Sequence, residues 1–148
     1  MRGEHTVTIS RPASSVFDLI ADGSRNASWH PSVIEVTLRS GDGGVGTVWR
    51  QLVHGPGGKV ADADYIVTQW LRPHLYAYEV TAGPVRGTAV YTLTELTPEA
   101  TTVVLALTLT PRGAVRLLTG FLLRQLVDEL DSLDRLKRVL DAPGARTR

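Results

Sequence analysis

Residues 112–141 read RGAVRLLTGFLLRQLVDELDSLDRLKRVLD, and the period of their apolar side chains decides the architecture. Val115, Leu118, Phe121, Leu122, Leu126, Leu130, Leu133, Leu136 and Leu140 recur at intervals of three and four, the spacing of one helix face. The stretch predicts a single helix of roughly 25–28 residues, about 40 Å long at 1.5 Å per residue. Its first half is apolar over a broad arc. Its second half carries Asp128, Glu129, Asp131, Asp134, Arg135, Lys137 and Arg138 on the remaining faces. A helix so striped needs an apolar surface to lie on, and the residues before it supply one. The residues after it, APGARTR (142–148), have no periodicity and are expected to fray.

Upstream of Pro111 the period is two. HTVTIS (5–10) sets Val7 and Ile9 on one face and Thr6, Thr8 and Ser10 on the other, a half-buried strand. RPASSVFDLIADG (11–23) then groups Val16, Phe17 and Ile20 at helical spacing and stops at Gly23. SRNASW (24–29) suits a second short turn capped by Ser24 or Asn26, ended by Pro31. From residue 33 to 110 the pattern is almost all strand, in SVIEVTLRS, TVWRQLVH, KVADADYIVTQWL, LYAYEVTAG, RGTAVYTLTEL and TTVVLALTLT. The turns GDGGVG (41–46) and GPGG (55–58) and the Pro-rich breaks separate them. With the first strand this makes seven, and connections so short join antiparallel neighbours.

Composition bounds the function classes. Among 148 residues, 43% are hydrophobic and 21% charged, with a formal net charge of +1. That is enough apolar residues for one core, and it leaves no electrostatic footprint for nucleic acid or an anionic surface. Cysteine is absent, which removes disulfides, thiolate metal sites and cysteine nucleophiles. MRGEHTVTIS has no signal-peptide core, and AVRLLTGFLLRQLV (114–127) is interrupted by Arg116 and Arg124, far short of a membrane span. The expectation is one cytoplasmic domain over residues 1–141, monomeric or homodimeric, with no transmembrane segment and no nucleic-acid partner.

Strand, two short helices, six strands, long helix: a curved antiparallel sheet wraps its concave face around the helix, and a grip of that kind leaves a cavity between them. The order, with RPASSVFDLIAD (11–22) after the first strand, WHPSVIEV (29–36) opening the second, and YTLTELTPEATTVVLALTLTPRG (91–113) leading into the last helix, resembles the START-like (SRPBCC) superfamily. Within it, the chain resembles the polyketide cyclase/dehydrase and lipid transport group. The resemblance covers residues 4 to about 141. It implies an α+β helix-grip fold (START/Bet v 1-like), a seven-stranded antiparallel sheet curved around a long C-terminal helix, with two short helices after strand 1. Members include lipid carriers, hormone receptors and aromatase/cyclases, so fold leaves function open.

No catalytic set stands out. His5, His30, His54 and His74 have no metal-ligand spacing, Gly-x-Ser-x-Gly is missing, and neither glycine-rich turn is followed by a helix that could hold phosphate. No metal or cofactor is expected. His30 lies in SWHPSV (28–33) and reads as a surface corner residue at the hinge between the second helix and second strand. The aromatic residues carry more information. Trp29, Trp49, Tyr65, Tyr78, Tyr91 and Phe121, with Gln51 and Gln125, are the candidate ligand-binding residues: flat surfaces plus polar tips around a hollow, equally consistent with core packing. If the aromatic side of each strand faces in, Arg50 and Glu79 face solvent, leaving Asp62, Asp64 and Arg86 as charged candidates. Gly120 inside the helix suits close packing against the sheet, a dimer patch, or room for a ligand.

Two functions follow. The first is binding of a small hydrophobic molecule, such as a lipid or polyketide. The alternative is an aromatase/cyclase-like enzyme acting on a poly-β-keto chain, with Tyr65, Tyr78 or Tyr91 as proton donors and Gln51 or Gln125 as orienting groups. A third reading is docking of a partner protein on the helix or an edge strand.

Overall fold

The computed structural model describes residues 1–142. The chain runs β1 (Arg2–Ile9), α1 (Ala13–Ala21), a 3₁₀ turn (Gly23–Ser28), β2 (Val33–Ser40), β3 (Val48–His54), a 3₁₀ turn (Pro56–Gly58), β4 (Val60–Asp62), β5 (Tyr65–Leu71), β6 (Leu75–Val80), β7 (Val85–Thr97), β8 (Ala100–Pro111), a 3₁₀ turn (Gly113–Leu117) and α2 (Thr119–Asp141). All strand pairs are antiparallel, in the order β1-β8-β7-β6-β5-β3-β2, with β4 paired to β3. Register shifts in β2–β3, β5–β6 and β7–β8 mark bulges, which bend the sheet around α2.

The sheet has eight strands where the sequence pattern predicts seven. The difference lies in KVADADYIVTQWL, which divides at Ala63–Asp64 into β4 and β5. Polar side-chain chemistry makes the break: the Asp64 carboxylate accepts the Gln51 amide of β3 at 3.2 Å, and the Ala63 amide donates to the Gln51 carbonyl at 2.8 Å. The chain leaves one end of β3 and rejoins it at the other.

The last helix is also shorter than its apolar period implies. It has 23 residues. Leu118 has non-helical dihedrals (φ −94°, ψ 63°), and residues 113–117 form a separate 3₁₀ turn. Val115 is buried from that turn, while Leu117 is 84% exposed and Leu118 also faces outward. The second short helix is a 3₁₀ turn capped by Asp22, whose carboxylate accepts the Ser24 amide at 3.1 Å, rather than by Ser24 or Asn26.

Leu122, Leu126, Leu133, Leu136 and Leu140 form the buried stripe of α2. Leu126, Leu133, Leu136 and Leu140 pack with Val7 and Ile9 of β1 and with Val103, Leu105, Leu107 and Leu109 of β8. Gly3 on β1 lets the helix come close, since a Cβ there would lie 2.7 Å from Leu130 Cδ1. Val16, Phe17, Leu19 and Ile20 of α1 close the other end of the same core, with the Phe17 ring edge-on to Trp70 and Tyr76. Gly120 lies on the exposed face, where a Cβ would meet nothing, so the close packing expected there is not present.

Candidate functional site

The helix does not fill the sheet uniformly. Along β1 and β8 it presents leucines; toward β3 and β6 its first turns present Phe121, Gln125 and Glu129. Opposite them lie small residues of the sheet and its connections, Ala61 and Gly87 on strands and Gly55 and Ala63 between them. The result is a hollow of about 780 Å³ counting its open mouth. Val33, Val53, Val80, Val85, Leu107 and Leu109 form most of its apolar wall.

Two polar clusters interrupt that wall. In the first, buried Asn26 donates through Nδ2 to Gln51 Oε1 at 3.1 Å and to the Tyr65 hydroxyl at 2.8 Å. Gln51 Nε2 donates in turn to the Ala63 carbonyl at 3.4 Å. The 3₁₀ turn makes this possible. Gly23 lies against the Trp49 ring and the Tyr65 hydroxyl so closely that a Cβ would fall 2.5 Å from Trp49, and Asn26 follows one turn later. In the second cluster Glu129 Oε1 accepts from Ser32 Oγ at 2.9 Å and from Gln125 Nε2 at 3.4 Å, while Oε2 lies 3.4 Å from His30 Nδ1. Burial, the largest influence, acts to raise the Glu129 pKa. The His30 hydrogen bond and charge and the Ser32 hydroxyl outweigh it, leaving the carboxyl below the ordinary glutamate value.

His30 is therefore not a surface corner residue. It is 5% exposed. Its backbone amide bonds the Asn26 carbonyl at 2.8 Å, which turns the imidazole under Trp29, ring centroids 3.8 Å apart. The other histidines differ: His54 and His74 are exposed, and half-buried His5 hydrogen-bonds Asp134 at 2.9 Å. The fold also brings His5, Asp131 and Asp134 within 4.8 Å of one another, a grouping no sequence spacing announces.

Of the residues singled out from the sequence, Gln51, Tyr78, Phe121 and Gln125 line the hollow. Tyr65 stands behind it, one hydrogen bond away through Asn26. Trp29, Trp49 and Tyr91 are placed in the core instead: Trp29 packs its ring edge on Tyr91 at 6.2 Å, and Trp49 is covered by Gly23. Trp49 and Tyr91 alternate inward on β3 and β7, but neighbouring rings and the 3₁₀ turn that ends at Trp29 fill the space in front of them. Arg50 and Glu79 face out. Asp62 and Arg86 lie on the rim of the hollow, with the Arg86 guanidinium turned to the Gly83 carbonyl at 3.4 Å. Asp64 is held in the β4–β5 break. Asn26, His30 and Glu129 carry the polar chemistry, a grouping that no sequence pattern announces. Glu129 sits among like-looking surface charges of a helix, and Asn26 reads as a turn residue, so neither has a local signal.

Tyr65, Tyr76, Tyr78 and Tyr91 form one cluster, with Tyr65 and Tyr78 centroids 4.5 Å apart and Tyr78 6.4 Å from Tyr91. Burial, the largest cause in each case, pushes all four hydroxyls well above the ordinary tyrosine value. For Tyr65 the Asn26 hydrogen bond opposes it, and for Tyr91 the Tyr78 hydrogen bond does. At neutral pH these are hydrogen-bonding groups and not bases.

No helix among the described residues is long and apolar enough to cross a membrane. Comparison with curated proteins finds no match. Solved structures share the fold. The Zhui aromatase/cyclase from Streptomyces sp. R1128 superposes with a TM-score of 0.74 at 24% identity, covering 97% of this chain and 98% of that one. A START superfamily protein from Mycobacterium smegmatis gives 0.74 at 15% identity, over 94% and 98%. The di-domain aromatase/cyclase BexL from the BE-7585A biosynthetic pathway gives 0.72 at 19%, over 96% of this chain and 50% of that one. These likenesses confirm the START-like helix-grip architecture. The model of the polyketide cyclase/dehydrase and lipid transport family matches residues 2–141, and the chain belongs to that family.

Proposed function

We propose that the protein binds a small, mainly apolar, ring-bearing molecule with carbonyl or hydroxyl groups, in the hollow between the sheet and α2. The observation that carries this reading is the pairing of an apolar wall with two separate polar clusters, Asn26–Gln51 and His30–Glu129, on one open cavity. An apolar wall sets affinity by burial, and a few convergent polar groups set orientation. A simple acyl chain would leave both clusters desolvated and unanswered, which is unfavourable; a functionalised ring system satisfies them. Family membership and the aromatase/cyclase neighbours support the same ligand class.

The test is titration with 2-naphthol, followed by tryptophan emission. Saturable one-to-one quenching is expected for the wild type and its loss for Val80→Trp, which fills the hollow from β6. Equal quenching of both proteins contradicts the assignment of the site. A second reading, cyclisation of a poly-β-keto chain, is favoured by the presence of titratable groups inside an apolar pocket, where a shaped site supplies much of the rate. Incubation with a poly-β-keto thioester tests it: an unchanged product profile with and without protein excludes it.

A further inference from the structure

Resting on that reading of the hollow, the geometry points to His30 as a general base toward a ketone-bearing ligand, with Glu129 as its positioning residue. The two sit on different elements, the turn before β2 and the middle of α2, and meet at the cavity wall. Glu129 uses one oxygen for Ser32 and Gln125 and leaves the other, Oε2, for His30 Nδ1 at 3.4 Å. A carboxylate on Nδ1 fixes the tautomer that carries its proton there and its lone pair on Nε2. Nε2 has no hydrogen-bond partner among the described residues. Nor does it belong with the sealed, unpartnered atoms, which are Trp29 Nε1, Trp49 Nε1 and Tyr76 OH. His30 lines the hollow, with a side chain only 6% exposed. The His30 backbone is fixed on both sides, by His30 N–H to Asn26 O (2.8 Å) and Val33 N–H to His30 O (3.2 Å), and the ring packs on Trp29. Nδ1 faces the Glu129 carboxylate, and Nε2 is left without a protein partner among the described residues.

The step is proton transfer. A C–H bond beside the ligand's carbonyl breaks, its proton passes to Nε2, and its electron pair forms the C=C of an enolate with the charge on the former carbonyl oxygen. Glu129 stays ionised and balances the imidazolium. Return of a proton from Nε2 to carbon restores the ketone, and if that proton has exchanged with solvent the carbon is labelled.

The experiment uses 2-tetralone and the full chain in D₂O, with binding read from ligand line broadening and exchange from loss of the C1 and C3 proton signals. Exchange is expected to run about a hundredfold faster with protein than with an equal concentration of free imidazole, the lower end of what a positioned base contributes. His30→Gln should abolish that gain, and added imidazole should restore part of it to His30→Gly. Glu129→Gln, which keeps the shape of the side chain, should lower exchange at least about tenfold when measured at saturating 2-tetralone, a loss in rate and not in occupancy. Tight binding with no acceleration overturns the role of His30 and leaves the pocket reading standing. Full acceleration in folded Glu129→Gln overturns the role of Glu129. Absence of binding overturns both the pocket reading and this one.

Discussion

At the scale of single residues, the hollow is defined by what each polar atom can reach. Tyr65 and Tyr76 are both buried tyrosines of the same sheet, yet they differ in one respect. The Tyr65 hydroxyl accepts from Asn26 at 2.8 Å, whereas the Tyr76 hydroxyl has no partner among the described residues. Removing a buried hydroxyl that is hydrogen-bonded also strands its partner, at about 1–3 kcal/mol. Removing one that is unpartnered is neutral or favourable. Tyr65→Phe is therefore expected to lower unfolding free energy by about 1–3 kcal/mol and Tyr76→Phe to leave it unchanged or raise it, as measured by urea unfolding. The reverse order would show that the hydrogen bonds are misassigned. This scale was the least legible in the sequence. Gln51, Tyr78, Phe121 and Gln125 could be nominated because strand alternation or helical spacing placed them together. His30, Asn26 and Glu129 could not, because their meeting depends on a 3₁₀ turn folding back over β3 and on the rotation of α2, neither of which is encoded in local pattern.

At the scale of elements, glycine positions separate what is packed from what is free. Gly23 begins the 3₁₀ turn with the Trp49 ring and the Tyr65 hydroxyl inside the volume of any Cβ. Gly120 lies in the first turn of α2 with open space around it. Gly120→Ala should stabilise by about 0.5–1 kcal/mol through helix propensity and reduced freedom of the unfolded chain, raising Tm by about 2–4 °C. Gly23→Ala should destabilise and at the same time disturb Asn26, so that 2-naphthol affinity falls with it. Thermal unfolding of the two variants side by side checks both. A stabilised Gly23→Ala would mean that the turn does not rest on Trp49. The order of elements and the shared face of Val7 and Ile9 on β1 were readable from periods of two, three and four; which face of the other strands lines the cavity was not. The division of residues 59–71 into β4 and β5 and the late start of α2 at Thr119 were not. Each is set by tertiary geometry: Asp64 bonding across to β3 in one case, and the anchoring of Val115 in the core ahead of the helix in the other.

At the scale of the whole molecule, the four tyrosines act as one buried set. Each has its hydroxyl pushed above the ordinary value of about 10, with burial the largest cause. A group whose folded value is raised stabilises fully below its unfolded value and loses that contribution as pH rises. Stability should therefore fall from about pH 10 upward, and absorbance at 295 nm should stay flat until alkaline unfolding releases all four tyrosines together. A gradual titration centred near pH 10 would contradict the buried cluster. The overall architecture was legible for a simple reason. A long amphipathic helix following a run of antiparallel strands has one concave face to occupy, and most of the apolar residues serve that packing. What remains open between them is the hollow, whose polar lining comes from exceptions to the pattern. The central claim is that this hollow, and not the exposed leucines of α2, receives the ligand. An ¹⁵N-resolved NMR titration with 2-naphthol tests it most directly: the account predicts saturable shifts at Gln51, Val80, Gln125 and Glu129, and shifts confined to Leu117, Leu123 and Val127 would contradict it.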